Sequence, residues 1–240
     1  MRWKYDSAAS QVLSTLVEKI SGVSLFEFLN TRIFSKLGTF KTATILKTKN
    51  DDSWGDSALL CTTRDMASFA RFLLNKGNWN GEQVLNKEYI STATSKVVDN
   101  DEIGFDSVFN KGYGYQIWRC DKNGFAFNGM GSQLTLCFPD QDIIFVCTSD
   151  NQGYSDANSL ILTAFFEIIL DSLSPTPLPE NRETYKKAIS MADDLKLVHL
   201  SGNSHSEYEK TLNKRKYKCQ KNDMGITEFE FIFNIVVFHY

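Results

Sequence analysis

The stretch from Gly112 to Thr148 constrains the fold most, because it departs from the helical spacing that precedes it. It contains the short segments YGYQIWRC, GFAFNG, SQLTLCFP and IIFVCTS, which are rich in aromatic and β-branched residues, and the turn-forming sequences DKNG and PDQD stand between some of them. Connections this short join antiparallel neighbours, since a parallel pair needs a crossover of about a dozen residues or more. The sequence therefore predicts an antiparallel meander of at least three strands.

Helical patterns lie on both sides of this meander. Apolar residues recur at helical spacing from Ser7 to Ile20, and Gly22 supplies a stop signal. A second helix is expected after Ser24, whose spacing to Glu27 is that of a capping box. Its predicted buried face comprises Leu25, Phe28, Leu29 and Ile33.

Further helices are predicted from caps and apolar spacing. Thr62 and Asp65 have the spacing of a cap for a helix from Arg64 to Asn75, and another helix is expected after Asn86. The very apolar stretch from Asp156 to Leu173 predicts a long helix that is covered on most sides. Together with the meander, these helices predict the α+β class, with an antiparallel sheet and packed helices.

A proline-rich segment divides the chain. Pro175, Pro177 and Pro179 prevent a regular helix and predict a stiff linker, which a charged helix follows. Near the C-terminus, YKCQ and TEFEFIFNIVVF alternate like strands. The predicted regions are a helix-and-sheet domain over 1–173, a linker with its helix over 174–195, and a partial β appendage over 196–240.

Composition and charge argue against several classes of partner. The formal net charge of −3 offers no general attraction to nucleic acid, and the basic run from Lys210 to Lys221 is interpreted as a solvated turn. No apolar run reaches the length of a bilayer span. The five cysteines lack paired or metal-ligand spacing, which favours a reducing compartment such as the cytoplasm.

Common signatures of catalytic sites are absent from the sequence. There is no Gly-x-Ser-x-Gly elbow and no phosphate-binding glycine loop. The three histidines, His199, His205 and His239, all follow the prolines, which argues against a serine-histidine-acid triad. The sequence predicts neither a cofactor nor a metal centre.

Five segments in a fixed order carry a resemblance to a known family. They are a Tyr-x-Ser at a helix start, EKISGVSLFEFLNTRIFSKLG, LLCTTRDMASFARFLLNKGNWNGEQVL, GYGYQIW and NGMGSQLTLCFPDQDIIFVCTSDNQG. Together they resemble the serine hydrolases of the β-lactamase and penicillin-binding-protein family. The branch they resemble holds class C β-lactamases, esterases, D-aminopeptidases and 6-aminohexanoate-dimer hydrolases. The resemblance runs from about Trp3 to Leu173 and implies a β-lactamase/transpeptidase-like fold.

The resemblance implies acyl transfer through a serine nucleophile. In the family, the serine belongs to a Ser-x-x-Lys motif, the tyrosine of a Tyr-x-Asn motif handles protons, and a Lys-Thr-Gly strand lines the site. Tyr5 and Ser7 match the second motif, with serine in place of asparagine. The resemblance therefore implies a catalytic role for Tyr5 and a substrate-binding position for Ser7.

The third motif is matched by Asn128 and Gly129. The glycines at 129 and 131 would let a substrate approach the strand backbone, and the resemblance implies that the N–H of Met130 is an oxyanion donor. The lysine of the motif is absent, which favours a small ester, amide or peptide substrate over a β-lactam. Gly131 and Trp118 are expected to line the same cleft.

Each of these residues also has a purely structural alternative. An aromatic residue such as Tyr5 before a helix is typical of a hydrophobic staple. Glycines 129 and 131 also fit a bulge in a sheet, and Trp118 also fits a sheet core.

The sequence contains no Ser-x-x-Lys motif, because no lysine has a serine three positions before it. In the family the nucleophile precedes the tyrosine, so we expect the C-terminal portion of a serine hydrolase, incomplete at its N-terminus. The alternative hypothesis is a non-catalytic binding or scaffold protein that keeps the cleft. An incomplete sheet would leave an unpaired edge strand, which predicts self-association.

Overall fold

The computed structural model describes residues 3–100, 107–154, 156–195, 205–221 and 226–233. The chain divides into two compact units, Met1–Ser174 and Pro175–Tyr240, and each is described by itself. The division into three regions that the sequence suggests stays a prediction.

The first unit contains both helices and strands. In chain order they are α1 (Ser7–Ser21), α2 (Leu25–Leu29), α3 (Ser35–Leu37), β1 (Thr44–Ile45), β2 (Leu59–Leu60), α4 (Thr63–Leu74), β3 (Asn78–Trp79), β4 (Glu82–Gln83), α5 (Lys87–Ala93), β5 (Trp118–Arg119), β6 (Phe125–Gly129), β7 (Gln133–Phe138), β8 (Ile143–Cys147) and α6 (Ala157–Ala164). A π-helical turn (Asn30–Phe34) joins α2 to α3, and another (Phe165–Ile169) extends α6. In the described ranges, no helix has the length and apolarity needed to cross a membrane.

Strands β5 to β8 form an antiparallel sheet in the order β5-β6-β7-β8, which confirms the predicted meander and the α+β class. Trp118 pairs with Ala126, and Ala126 pairs with Leu136, so these side chains share one face. The alternate residues, among them Phe125 and Cys137, face the other way.

Both faces of this sheet are buried. On one face, called here the α6 face, the core contains Phe109, Trp118, Ala126, Leu134, Leu136, Phe138, Leu162, Phe165 and Leu170. On the other, called the α4 face, it contains Ala70, Phe72, Leu73, Ile117, Phe125 and Cys137. Because successive residues of a strand belong to different cores, a slip of one residue would exchange the two cores.

Helix α1 confirms the predicted span and stop. The Asp6 carboxylate accepts the N–H of Ala8 at 2.9 Å and caps the helix, and Gly22 ends it with a left-handed φ of 74°. The apolar stripe of α1 lies at the surface, with exposed fractions between 48% and 78% for Leu16, Leu13, Val12 and Ile20. This stripe is therefore available for contact with other polypeptide.

Glu18 ties α1 to two neighbouring segments. Its carboxylate accepts the N–H of Leu25 at 2.8 Å and the hydroxyl of Ser53 at 2.6 Å. Gln11 and Ser14 donate to the Ser53 carbonyl at 2.9 and 3.2 Å. Burial alone would raise the pKa of Glu18, but the hydrogen bonds from Ser53 and Leu25 outweigh it and lower the pKa. The charged carboxylate thus holds the start of α2 and the Ser53 loop against α1.

The helix after Ser24 differs from the prediction in its buried face. The Ser24 hydroxyl caps it as expected, accepting a backbone N–H at 3.2 Å. The π-helical turn then places one extra residue in a turn of helix, which rotates the residues after it. Phe34 and Leu37 are buried. The residues that the spacing predicted to be buried are all half-buried, and two of them, Leu29 and Ile33, pack against the buried core; the four are Leu25, Phe28, Leu29 and Ile33.

Asp65 joins the start of α4 to the turn before β1. Its carboxylate accepts the N–H and the hydroxyl of Thr62 at 2.9 and 2.7 Å, which confirms the predicted cap. The same carboxylate accepts the N–H of Phe40 at 2.6 Å. Phe40 has a left-handed φ of 59°, and its ring stacks on that of Phe34 with centroids 3.9 Å apart. Asp65 therefore holds a strained backbone position as well as a helix start.

The second unit has its own elements: α7 (Arg182–Asp194), α8 (Glu209–Leu212), β9 (Lys216–Lys218) and β10 (Glu228–Glu230). β9 and β10 pair antiparallel, with Tyr217 opposite Phe229 and ring centroids 5.3 Å apart. The part of the predicted strand beyond Phe233 lies outside the described residues.

Replacing Asp65 by asparagine is expected to destabilise the protein by about 1–3 kcal/mol, because an amide NH2 cannot accept the hydrogen bonds that a carboxylate oxygen receives. Burial alone would raise the pKa of Asp65, but the bonds from Thr62 and Phe40 lower it below its ordinary value of 3.8. The stabilisation is therefore complete above pH 3.8 and is lost as the pH falls below that value. Urea unfolding at several pH values should show the gap between wild type and Asp65→Asn closing in acid.

Glu82→Gln is the matched control for this measurement. Glu82 pairs with Lys36 at the surface at 2.5 Å, and exposed pairs of this kind contribute less than about 1 kcal/mol. Equal effects of the two substitutions, or a gap that does not change with pH, would contradict the role given to Asp65.

Candidate active site

Tyr5 lies in a cluster of aromatic side chains, Trp3, Tyr5, Tyr113 and Trp118, called here the aromatic cluster. Tyr5 stacks on Trp118 with ring centroids 5.6 Å apart and an interplanar angle of 21°. Trp3 contacts the rings of Tyr113 and Trp118 at 5.1 and 5.7 Å, and Tyr113 meets Trp118 edge-on at 5.1 Å. Trp118 is buried, whereas Tyr5 is 43% exposed. Trp118 therefore fixes the Tyr5 ring while part of that ring stays open to solvent.

Hydrogen bonds hold the segment that carries Tyr113. Its N–H donates to the Val98 carbonyl at 2.9 Å, and its own carbonyl accepts two N–H groups of the opposite segment at 3.0 and 3.1 Å. The buried Asn100 amide donates to the Phe109 carbonyl at 2.8 Å and accepts the N–H of Gly112 at 2.7 Å. The backbone that presents Tyr113 to Trp118 is thus anchored on both sides.

The two phenols of the aromatic cluster differ in their exposure to solvent, since Tyr5 is exposed and Tyr113 is half-buried. Burial raises the pKa of Tyr113 to about 12, and the neighbouring Tyr5 adds to the rise. Tyr113 therefore stays protonated at neutral pH and is not available as a base. Tyr5 is the more exposed of the two phenols.

The turn between β6 and β7 carries other predicted site residues. Gly129 pairs with Gln133, so Met130, Gly131 and Ser132 form a three-residue connection. The side chain of Met130 projects into solvent, with an exposed fraction of 80%. Gly131 and Ser132 are both left-handed, with φ of 77° and 67°. Glycine adopts this conformation readily, but serine does so only at a cost in free energy.

Asn128 lies on the same sheet face as Trp118. Trp118 pairs with Ala126, and Asn128 follows Ala126 by two residues along β6. The Asn128 side-chain oxygen accepts a hydrogen bond from Nδ2 of Asn158, in α6, at the long distance of 3.5 Å. Gly129 faces the other way, where an added Cβ would lie 3.0 Å from a side-chain carbon of the next strand.

The structure places the predicted site residues around β5 and the end of β6. Tyr5 and Trp118 are in contact, and Asn128 shares the sheet face of Trp118. Met130 lies in the turn that follows β6, and Ser7 is exposed at the first position of α1. That all of them line one cleft stays a prediction.

Contacts between segments distant in sequence hold this region together, and no sequence pattern predicted them. Ser149, which follows β8, donates to the Gly131 carbonyl at 2.9 Å. Gln116 donates to the hydroxyl of Ser10 at 2.9 Å and so ties α1 to the approach of β5. The sequence Asp-Asn-Gln-Gly after β8 does indicate a loop. No local pattern shows which strand end that loop contacts.

Thiols and metal-ligand groups do not add to this site. All five cysteines are free. Burial raises the pKa of Cys120 to about 12 and also raises that of Cys137, so neither thiol is prepared for nucleophilic attack. Within the described ranges, no group of three or more His, Cys, Asp or Glu side chains could hold a metal ion.

Comparison with known proteins identifies the family. The protein-family model described as Beta-lactamase matches residues 1–164. The chain belongs to the beta-lactamase family. A curated relative, the 6-aminohexanoate-dimer hydrolase of Paenarthrobacter ureafaciens, is 30% identical over 124 residues, which make up 50% of this chain and 31% of the relative.

Solved structures share the fold of this beta-lactamase family chain. A Bacillus anthracis protein, provisionally named a 6-aminohexanoate-dimer hydrolase, matches with a TM-score of 0.61 and 24% identity over 72% of this chain and 45% of that chain. A provisionally named beta-lactamase from Bacteroides dorei DSM 17855 matches with a TM-score of 0.50 and 16% identity over 68% of this chain and 58% of that chain. The chain thus spans less than two thirds of each of these proteins.

Gly131→Ala is expected to destabilise the protein by about 1–2 kcal/mol, because alanine pays the steric cost of a left-handed φ. An added Cβ would meet its nearest neighbours at 3.4 Å, an ordinary contact distance, so the effect reports the backbone alone. Gly153→Ala is the control, since nothing lies within 4 Å of a Cβ there. Denaturant unfolding of the three proteins measures the difference, and similar stabilities for both variants would show that the turn is not strained as described.

Proposed function

We propose that this chain provides the proton-transfer and oxyanion-binding parts of an acyl-serine hydrolase that acts on small esters, amides or peptides. The observation that carries the proposal is the stacking of Tyr5 on Trp118, on the sheet face that also carries Asn128. Acyl transfer needs a proton-handling group and oxyanion donors around one carbonyl. The curated relative is named as a hydrolase of the 6-aminohexanoate dimer, which supports a small amide as the substrate class.

The proposed reaction has two steps. A serine oxygen attacks the substrate carbonyl carbon, its proton passes to the Tyr5 oxygen, and the Met130 N–H donates to the carbonyl oxygen as that oxygen becomes negative. The bond to the amine or alcohol then breaks, and the leaving group takes the proton from Tyr5. In the second step, water attacks the acyl-serine by the same proton route and releases the acid.

We propose that the nucleophile, and the cation that would support Tyr5, lie on a segment other than these 240 residues. No serine stands three positions before a lysine in these 240 residues. The chain spans 31% of the curated relative and 45% of the Bacillus anthracis structure, which leaves room for a segment carrying Ser-x-x-Lys. Its lysine would favour a negatively charged phenol. Helix α1 begins two residues after Tyr5, and we propose its exposed apolar stripe as the surface on which that segment docks.

The residue before Asn128 favours a substrate that has no carboxylate next to this residue. The family motif has a lysine here, whereas this chain has Phe127. Phe127 packs against the α4-face core, with its ring centroid 6.1 Å from that of Phe69. An apolar side chain directed into the core cannot pair with the carboxylate of a β-lactam, so we favour esters and amides.

Tyr5→Phe is expected to lower kcat for an activated ester by about 10²-fold or more in the complete protein, which joins this chain to its Ser-x-x-Lys segment. The phenyl ring can still stack on Trp118, but it has no proton to exchange. Tyr208→Phe is the matched control, because Tyr208 is exposed and belongs to the second unit. Steady-state kinetics of the three proteins make the comparison.

Unchanged turnover in Tyr5→Phe would reduce Tyr5 to a packing residue before α1. A fluorophosphonate, which labels activated serines, tests the placement of the nucleophile on the isolated chain, where no labelling is expected. Labelling that Tyr5→Phe abolishes would show that the nucleophile lies within these 240 residues.

We also propose that the isolated chain self-associates through the edge of β8. Among the described strands, β8 pairs with β7 alone, and an open strand edge invites pairing with a second copy. Light scattering should therefore give at least twice the monomer mass of 27.3 kDa. The double variant Val12→Lys/Ile20→Lys, which charges the α1 stripe, should leave the association intact. A stable monomer would contradict the proposal, and an association lost in the double variant would move the contact to α1.

A further inference from the structure

The loop after β8 and the β6–β7 turn form one hydrogen-bonded unit. Ser149 Oγ lies 2.9 Å from the carbonyl oxygen of Gly131 and 3.2 Å from that of Ser132. The N–H of Asn151 also donates to the Gly131 carbonyl, at 3.3 Å. In the opposite direction, the side-chain amide of Gln133 donates to the Ser149 carbonyl. Four contacts thus join two segments that are distant in sequence.

The hydroxyl of Ser149 is oriented within this unit. Asn151 Nδ2 donates to Ser149 Oγ at 2.9 Å. A hydroxyl has one proton and two lone pairs, so a donor on the lone-pair side leaves the proton for the carbonyls of Gly131 and Ser132. Ser149 therefore acts as a donor to the turn.

The turn needs the hydrogen bonds from Ser149 because two of its residues have left-handed backbone conformations. Gly131 and Ser132 are consecutive left-handed residues, and Ser132 is buried with an exposed fraction of 4%. A left-handed residue with a Cβ persists where the surrounding structure over-determines it. The carbonyls that face Ser149 belong to these two residues, so Ser149 directly holds the left-handed pair in which Ser132 carries the strain.

The peptide that carries the Met130 N–H lies immediately before this pair. An oxyanion donor must come within about 2.7–3.1 Å of the developing charge, and a small rotation of its peptide plane moves it out of range. The pairing of Gly129 with Gln133 closes the turn at the ends of both strands. Between these paired residues, the direction of the Met130 N–H depends on the backbone of Gly131 and Ser132, which follow it.

We propose that Ser149 is a positioning residue for the Met130 N–H in the acyl-transfer site. The inference rests on the proposed function, which assigns that N–H to the oxyanion. Ser149 does not touch the substrate; it fixes the Gly131 and Ser132 carbonyls so that the preceding N–H points at the oxygen that gains charge. Losing this support weakens transition-state binding and leaves binding of the ground state unchanged.

The test compares kcat and KM for an activated ester in the complete protein and its variants. Ser149→Ala is expected to lower kcat by about tenfold, which is less than the loss of an oxyanion donor itself, and to change KM by less than about twofold. Ser149→Thr keeps a hydroxyl and is expected to retain most of the activity. Ser68→Ala is the matched control, because the Ser68 hydroxyl also donates to a backbone carbonyl, at 3.0 Å, but within α4.

Asn151→Ala removes the group that orients the Ser149 hydroxyl and should lower kcat in the same direction by a smaller factor. Unchanged kcat in Ser149→Ala and Asn151→Ala, with Tyr5→Phe still impaired, would overturn the positioning role and leave the proposed function in place. If kcat falls in Ser149→Ala and is equally low in Ser149→Thr, that result would also count against a positioning hydroxyl. Wild-type turnover in Tyr5→Phe, or a wild-type protein without esterase activity, would contradict the proposed function and the inference with it.

Discussion

The sheet of β5 to β8 buries apolar side chains on both faces, and the arrangement of the first unit depends on this constraint. Trp118 and Leu136 belong to the α6-face core, whereas Phe125 belongs to the α4-face core. A slip of one residue would exchange the cores, so the register is fixed. The fixed register determines where β5 presents the Trp118 ring to Tyr5 and where the turn of Met130 begins.

Elements with local signals could be predicted from the sequence. The cap formed by Thr62 and Asp65 depends on residues three positions apart, and the end of α1 depends on the left-handed preference of Gly22. The meander was predictable because its connections are too short for any other pairing. These features require no knowledge of distant parts of the chain.

Features that depend on distant contacts could not be predicted in the same way. The π-helical turn after α2 shifts burial to Phe34, and helical spacing alone assumes a regular helix. The α6 region was expected to be covered on most sides, yet Leu160 and Ile168 are 69% and 70% exposed. The family resemblance pointed to Tyr5 and Trp118 one by one. Their stacking, and the support of the β6–β7 turn by Ser149, follow from how the sheet brings separate segments together.

The central claim is that Tyr5 and the Met130 N–H serve one carbonyl. A crystal structure of the complete protein after reaction with a phosphonate, which leaves a tetrahedral oxygen like that of the transition state, tests it most directly. We expect a phosphonyl oxygen about 2.7–3.1 Å from the Met130 nitrogen, with the Tyr5 hydroxyl within hydrogen-bond reach of the modified serine. A phosphonyl group bound away from both, or Tyr5 and Met130 on opposite faces of the sheet, would contradict it.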